Sequence, residues 1–280
     1  MTEPLVVYTD LDGTLLDHFS YDWSPAAPTL ARLGHVGVPV VMVTSKSRTE
    51  VTSLRRELRN VHPFIVENGA ITVVPEGYFA EPGGLTSTPK TSLTTLRHGP
   101  PRAELTAMAL ELRSALAVEF RTFRELGSEG IAEHTGLSKE AATRAGEREG
   151  SEPLLWLESA PEAFVRFRDA LRARGSDAVR GGRFVHVLGS GNKAKAVAQL
   201  QSRYTTYWGG RGRSVVLGDG PNDIGMLAEA DYAVVIPGHH DQPMEFSPRG
   251  QVLRPQESGP SGWAWAMERI LDECGYGPTT

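Results

Sequence analysis

The sequence predicts an α/β protein, with a parallel-sheet core over residues 1–84 and 183–280 and an α+β unit inserted over 85–182. One observation behind this is rhythm. Buried-strand and helix signals alternate over the first hundred residues, stop, and return after residue 183. The other is placement. Acidic, hydroxyl-bearing and glycine residues recur directly after the apolar runs, at the carboxyl ends of strands, where open α/β sheets bind ligands.

Each element has its own signal. Val6–Thr9 is β-branched and aromatic and stops at an acidic turn, as a buried strand does. Pro28–Leu33 reads as a short helix, Val38–Val43 as a second strand, Thr49–Leu58 as an amphipathic helix and Pro63–Val66 as a third strand. Glu67-Asn68-Gly69-Ala70 leads into Ile71–Val74, a hairpin with Asn-Gly at its turn. Glu81-Pro82-Gly83-Gly84 marks the exit from this first segment.

The middle segment reads differently. Ala103–Phe120 carries Leu105, Met108, Ala109, Leu112 and Leu116 at helical spacing, and Leu154–Leu157 is a strand. Ser159-Ala160-Pro161-Glu162 fits a capping box opening a helix that closes at Gly175. The alternation then resumes with strands at Phe184–Leu188, Val215–Leu217 and Tyr232–Ile236, separated by helices at Ala194–Leu200 and Ile224–Ala230. A Gly-, Pro- and Ser-rich loop at 257–262 precedes a closing helix over Trp263–Leu271.

Composition narrows the partners. Of 280 residues, 40% are hydrophobic and 22% charged, an ordinary globular balance. The net charge of −5 argues against a dedicated nucleic-acid surface. No apolar stretch reaches membrane-span length and the N-terminus lacks a signal-peptide pattern. Cys274 is the only cysteine, so no intrachain disulfide forms and a cytoplasmic location is expected. The oligomeric state is not legible.

Four strand-end signals carry the chemistry. Asp10 and Asp12 stand two positions apart before Gly13 and Thr14. Two carboxylates this close repel unless a cation or proton intervenes, and oxygen-only ligands favour a hard ion such as Mg²⁺. Thr44-Ser45-Lys46-Ser47 follows a strand and precedes a helix, so its hydroxyls and backbone N–H groups fit an anion cradle, or simply a helix cap. Lys193 follows Gly189-Ser190-Gly191-Asn192 at a helix start, where an exposed lysine would look the same. Gly218-Asp219-Gly220-Pro221-Asn222-Asp223 brings two more acids to another strand end. Solvated turns would use the same residue types, but would not sort acids, hydroxyls and a cation in this way.

In order and spacing, Asp10-x-Asp12-Gly-Thr14, Thr44, Lys193 and Gly218-Asp219-x-x-Asn222-Asp223 resemble the four motifs of the haloacid dehalogenase superfamily of phosphohydrolases. The inserted unit lies where that superfamily's sugar-phosphate phosphatases carry an α/β cap. The resemblance thus implies a Rossmann-like core, a specificity cap, and phosphate-monoester hydrolysis through an aspartyl phosphate. It implies Asp10 as nucleophile and Asp12 as general acid and base. Thr44, Ser45 and Lys193 would bind phosphate. Mg²⁺ would be held by Asp10, Asp12 and Asp219, with Asn222 and Asp223 behind them.

More narrowly, Val43–Arg48, Arg148–Pro153 and His186–Gly189 are similar to the mannosyl-3-phosphoglycerate phosphatase family. That resemblance implies a phosphorylated sugar or glycosyl phosphoglycerate as substrate, in mannosylglycerate synthesis. Arg148, Ser151 and Glu152 are the candidates for touching it, or else a solvated polar loop. Gly150 and Asn192 depart from that family, which commonly has an aromatic residue and Asp there. The alternatives are a broader sugar-phosphate phosphatase or phosphomannomutase of the same superfamily, and a non-catalytic phospho-sugar sensor. His186 is expected to be structural and the His239-His240 pair to lie on the surface.

Overall fold

The computed structural model describes residues 3–80, 92–181, 183–210, 212–238 and 244–277. Two sheets organise them. The larger has eight strands: β1 (Leu5–Thr9), β2 (Val40–Val43), β3 (Phe64–Val66), β4 (Ile71–Pro75), β5 (Leu93–Arg97), β10 (Arg213–Gly218), β11 (Tyr232–Val235) and β12 (Gln251–Leu253). Their order is β12-β11-β10-β1-β2-β3-β4-β5. All pairings from β12 to β3 are parallel, and β3–β4 and β4–β5 are antiparallel. The smaller sheet is antiparallel, in the order β6-β7-β9-β8, from β6 (Phe120–Thr122), β7 (Ser151–Trp156), β8 (Ser176–Arg180) and β9 (Val185–Gly189).

The central strands are buried almost throughout because helices cover both of their faces. Along β1, Leu5 and Val7 join one core cluster, with Trp263, Met267, Ile270 and Leu271 of helix α9 (Gly259–Glu273). Val6 and Tyr8 join the other, with Ala196, Val197, Leu200 and Tyr204 of α7 (Lys193–Tyr207) and Met226 and Leu227 of α8 (Ile224–Ala228). Two further helices, α1 (Ala27–His35) and α2 (Arg48–Glu57), connect the first strands.

The smaller sheet buries one face against α3 (Arg102–Leu116) and α6 (Pro161–Arg172), through Leu105, Leu112, Phe167 and Leu171. Helices α4 (Phe123–Thr135) and α5 (Lys139–Gly146) form a separate apolar cluster with Phe184. Among the described residues no helix is long and apolar enough to cross a membrane.

Three local expectations change. Phe184–Leu188 was expected to resume the parallel sheet, but β9 pairs antiparallel with β7 and β8. All five residues of β9 are buried, and such a run does not reveal which sheet it joins. Leu93–Arg97, inside the expected insert, instead edges the larger sheet. The capping box at Ser159–Glu162 does not form: Ala160 takes the N-cap, without a side-chain bond, and Pro161 sets the helix start. The expected boundary residues 81–85 and 182, and the His239-His240 pair, lie outside the described residues.

Candidate active site

Parallel pairing brings distant residues to one edge. Thr9 is in register with Leu217 on β10 and Met42 on β2, so these three strands end side by side. Asp10, Thr44 and Asp219 follow those ends directly. The chain leaves β1 for β2 on one side and reaches β10 on the other, which opens a crevice at this point of the sheet. Backbone bonds fix the exits: Asp10 N donates to Leu217 O at 2.9 Å and Thr44 N to Ile65 O at 3.0 Å. The indole of Trp263 donates to Thr9 Oγ1 (3.0 Å), which donates to Asp10 O (2.7 Å). At Gly13, with φ of 82°, a Cβ would lie 2.5 Å from Asp219 Oδ2, so the turn needs glycine to bring the two acidic loops together. Thr14 Oγ1 donates to Asp219 Oδ1 at 3.1 Å.

The electrostatics are unbalanced. Asp10, Asp219 and Asp223 each place a carboxylate oxygen within 4.8 Å of the others, and all three are buried. Lys193, 1% exposed, donates to Asp10 Oδ1 at 2.5 Å and to Asp223 Oδ1 at 2.7 Å. Burial would lower the lysine's pKa, but these two carboxylates raise it above its ordinary value, so it stays charged. Burial, together with Asp223 and Asp219, lifts Asp10 well above the usual carboxylate range, and Lys193 offsets only part of this. Among the described residues the cluster sets three carboxylates against this one ammonium. The donor set, hard oxygens in excess of positive charge, fits a divalent cation such as Mg²⁺.

Asp12 is turned elsewhere. Its carboxylate pairs with Lys46 at 2.8 Å, and Lys46 also lies 4.7 Å from the ring centre of Tyr21. Burial opposes the charge on Lys46, but Asp12 and Glu50 hold its pKa above the ordinary value. Thr44 is buried, and its Oγ1 accepts from Lys46 N at 3.1 Å. The helix cap of α2 is Ser47, in a capping box with Glu50; of the loop before it Ser45 lines the crevice, and Thr44 lies buried behind. Asn222 Nδ2 donates to Asn68 Oδ1 at 3.1 Å.

A cavity of about 680 Å³ lies between the two sheets' units. Asp10, Asp12, Ser45, Lys46, Asp219 and Asn222 line one wall. The opposite wall includes Arg148, Arg168, Arg180, Arg183, Phe184 and His186. Of the three expected substrate contacts, only Arg148 lines it, and that residue also donates to Ser45 O at 2.5 Å and to Ser151 Oγ at 3.0 Å. Ser151 is fully buried and donates to Glu67 at 2.7 Å. Glu152 is fully buried too, and accepts from Arg102 at 2.6 Å and Thr106 at 2.7 Å. Both side chains are thus engaged in the interior, and neither lines the cavity. His186 lines the cavity with its Nδ1 buried and unpartnered.

Sequence reasoning singled out neither Lys46 nor Glu67, Asn68 and Trp263. Lys46 lay inside a quoted motif; the others sit in segments read only as a turn and a closing helix.

Residues 7–81 match the haloacid dehalogenase-like hydrolase family. Solved structures extend the likeness at low identity. A Thermoplasma acidophilum protein is 16% identical with a TM-score of 0.65, covering 98% of this chain and 100% of that one. A Bacteroides thetaiotaomicron phosphatase of the haloalkanoate dehalogenase superfamily is 16% identical with a TM-score of 0.65, covering 98% and 96%. The Synechocystis sucrose-phosphatase, solved with sucrose and phosphate, is 15% identical with a TM-score of 0.59, covering 96% and 98%. The described residues share the fold of haloacid dehalogenase-like hydrolases, and residues 7–81 match that family in sequence.

Proposed function

We propose that this protein is a Mg²⁺-dependent phosphoric-monoester hydrolase acting on a phosphorylated sugar derivative, with mannosyl-3-phosphoglycerate as the first candidate. The observation that carries the reading is the buried excess of Asp10, Asp219 and Asp223 over Lys193 at adjoining strand ends. Asp10, the Asp12 main chain and Asp219 would hold the ion, with Asp223 and Asn222 behind them. Bound there, the ion supplies positive charge that lets a phosphate dianion approach a carboxylate.

The residues then have distinct tasks. Asp10 attacks phosphorus, forming a P–O bond as the bond to the departing alkoxide breaks. Asp12 gives that alkoxide its proton, then takes one from the water that displaces phosphate from Asp10. Lys193 and the Thr44–Ser45 loop bind the phosphoryl oxygens, where charge builds up in transfer. Lys193 also positions Asp10 through its 2.5 Å contact.

The unit built on the smaller sheet acts as the specificity cap. An anionic glycerate group suits its arginine-bearing wall. Arg168 is paired with Asp177, and Arg183 with the carbonyls of His134 and Thr135. Arg180 lies over the Phe164 ring at 4.3 Å and keeps its donors for a carboxylate. A second reading, a broader sugar-phosphate phosphatase, is favoured by the burial of Ser151 and Glu152, neither of which lines the cavity.

A phosphate-release screen across phosphorylated sugars and glycosyl phosphoglycerates, with and without Mg²⁺, separates the readings. Strong preference for the mannosyl compound supports the narrow assignment and a flat profile the broader one. Absence of Mg²⁺-dependent release from every compound, including an aryl phosphate, overturns both.

A further inference from the structure

The turn between β3 and β4 carries three successive residues with left-handed backbone: Glu67, Asn68 and Gly69, with φ of 54°, 57° and 93°. A two-residue Asn-Gly hairpin needs positive φ only at its two central residues. Glu67 is thus held in a conformation costly for a side-chain-bearing residue, and such an outlier persists where its surroundings over-determine it.

Those surroundings include loop 44–46, the cap loop, Asn222 and the start of α7 at Lys193. Glu67 N donates to Lys46 O at 3.0 Å, and Asn68 N to Thr44 O at 2.9 Å. The fully buried Glu67 carboxylate accepts from Glu149 N (2.9 Å), Gly150 N (3.0 Å) and Ser151 Oγ (2.7 Å) of the cap loop. The Arg148 guanidinium, 3.9 Å from Glu67, reaches back to Ser45 O. Asn68 holds Asn222, and at Gly69 a Cβ would fall 2.6 Å from Lys193 N. The acid plays no part in the proposed chemistry, yet it meets three donors with two oxygens in a dry site, where each unmade bond is costly.

We propose that Glu67 is a positioning residue that fixes loop 44–46 to cap loop 148–151, so that loop 44–46 keeps its shape only while the cap loop is docked. The inference rests on the phosphatase reading only in taking 44–46 as the phosphate loop. The coupling itself is a property of the fold.

Hydrogen exchange on the full chain tests it. In Glu67→Gln the amide cannot satisfy all three donors, and the account expects amides of 148–151 and of 44–47 to exchange about tenfold faster or more together. Peptides covering β1 and β10 keep their wild-type rates. Ser151→Ala, which removes one donor, produces the same paired pattern at smaller size. Loosening of 148–151 while 44–47 stays protected overturns the proposal, as does uniform loosening of the whole core. If Glu67→Gln fails to fold, Arg148→Met breaks the link from the other side and must loosen the same two segments.

Inorganic phosphate supplies a second readout. With Mg²⁺ present, Glu67→Gln should weaken phosphate inhibition and raise KM more than it lowers kcat; the reverse split counts against positioning. A wild-type protein that neither hydrolyses nor binds phosphate sinks the phosphatase reading, and the exchange pattern still judges the coupling.

Discussion

Two buried charge clusters in this molecule look alike in burial and differ in balance. In the core, Asp10, Asp219 and Asp223 gather their carboxylates within 4.8 Å of one another, and the Lys193 ammonium pairs with Asp10 and Asp223. In the cap, Glu152 meets Arg102, with Thr106 and the Arg124 N–H satisfying its remaining lone pairs. Balanced and saturated, the second cluster has nothing left to bind and serves structure. Among the described residues the first sets three carboxylates against one ammonium, and that excess is what marks it as a candidate site. Burial alone does not separate function from scaffold; the balance of acid and base does.

The sharpest way to break the comparison is to exchange the expected losses. Asp10→Asn should cut phosphate release by about 10⁴-fold or more, as removal of a nucleophile does. Its melting temperature in metal-free buffer should not fall, because one of three repelling charges has gone. Glu152→Gln should do the opposite. Breaking a buried pair costs about 3–5 kcal/mol of stability, read by urea denaturation, while kcat changes far less. A core variant that unfolds with activity intact, or a cap variant that inactivates without destabilising, would reverse the assignment.

Metal addition sharpens the same contrast. Mg²⁺ at about a hundred times its dissociation constant should stabilise the folded protein by about 2.7 kcal/mol. Asp219→Asn should lose that increment, and Glu152→Gln should keep it despite a lower baseline. Thermal melts with Mg²⁺ and with a chelator measure both.

The smallest effect concerns pH and one histidine on each side. Burial, then nearby Arg55, lowers His62 in the core to about 4. Burial, then Arg148 and Lys193, lowers His186 in the cap to about 3. Both folded-state values lie below the roughly 6.5 of a free imidazole, so the fold favours the neutral rings. Their stabilisation is complete above about pH 6.5 and is lost as pH falls toward about 4 for His62 and about 3 for His186. Urea midpoints at descending pH should fall in the wild type, with a shallower decline in His186→Phe; an equal slope in both contradicts this.

The core site was legible because strand ends announce themselves. A β-branched run stopping at Asp10, or at Gly218-Asp219, states both position and chemistry, and parallel pairing does the rest. Contacts between loops were not legible. Nothing local says that Asp12 pairs with Lys46, that Asn68 meets Asn222, or that the indole of Trp263 reaches Thr9. The cap was harder for a second reason. Polar residues such as Ser151 and Glu152 read alike whether they face a cavity or an interior arginine. Three-residue strands such as Phe120–Thr122 and Gln251–Leu253 are too short to show a period.

Chemical trapping of the phosphorylated protein bears most directly on Asp10. Rapid quenching during turnover, borohydride reduction of any acyl phosphate and peptide mapping should place one Mg²⁺-dependent modification at Asp10, absent from Asp10→Asn. Modification at a different side chain, or sustained turnover with Asp10 never labelled, would contradict the account.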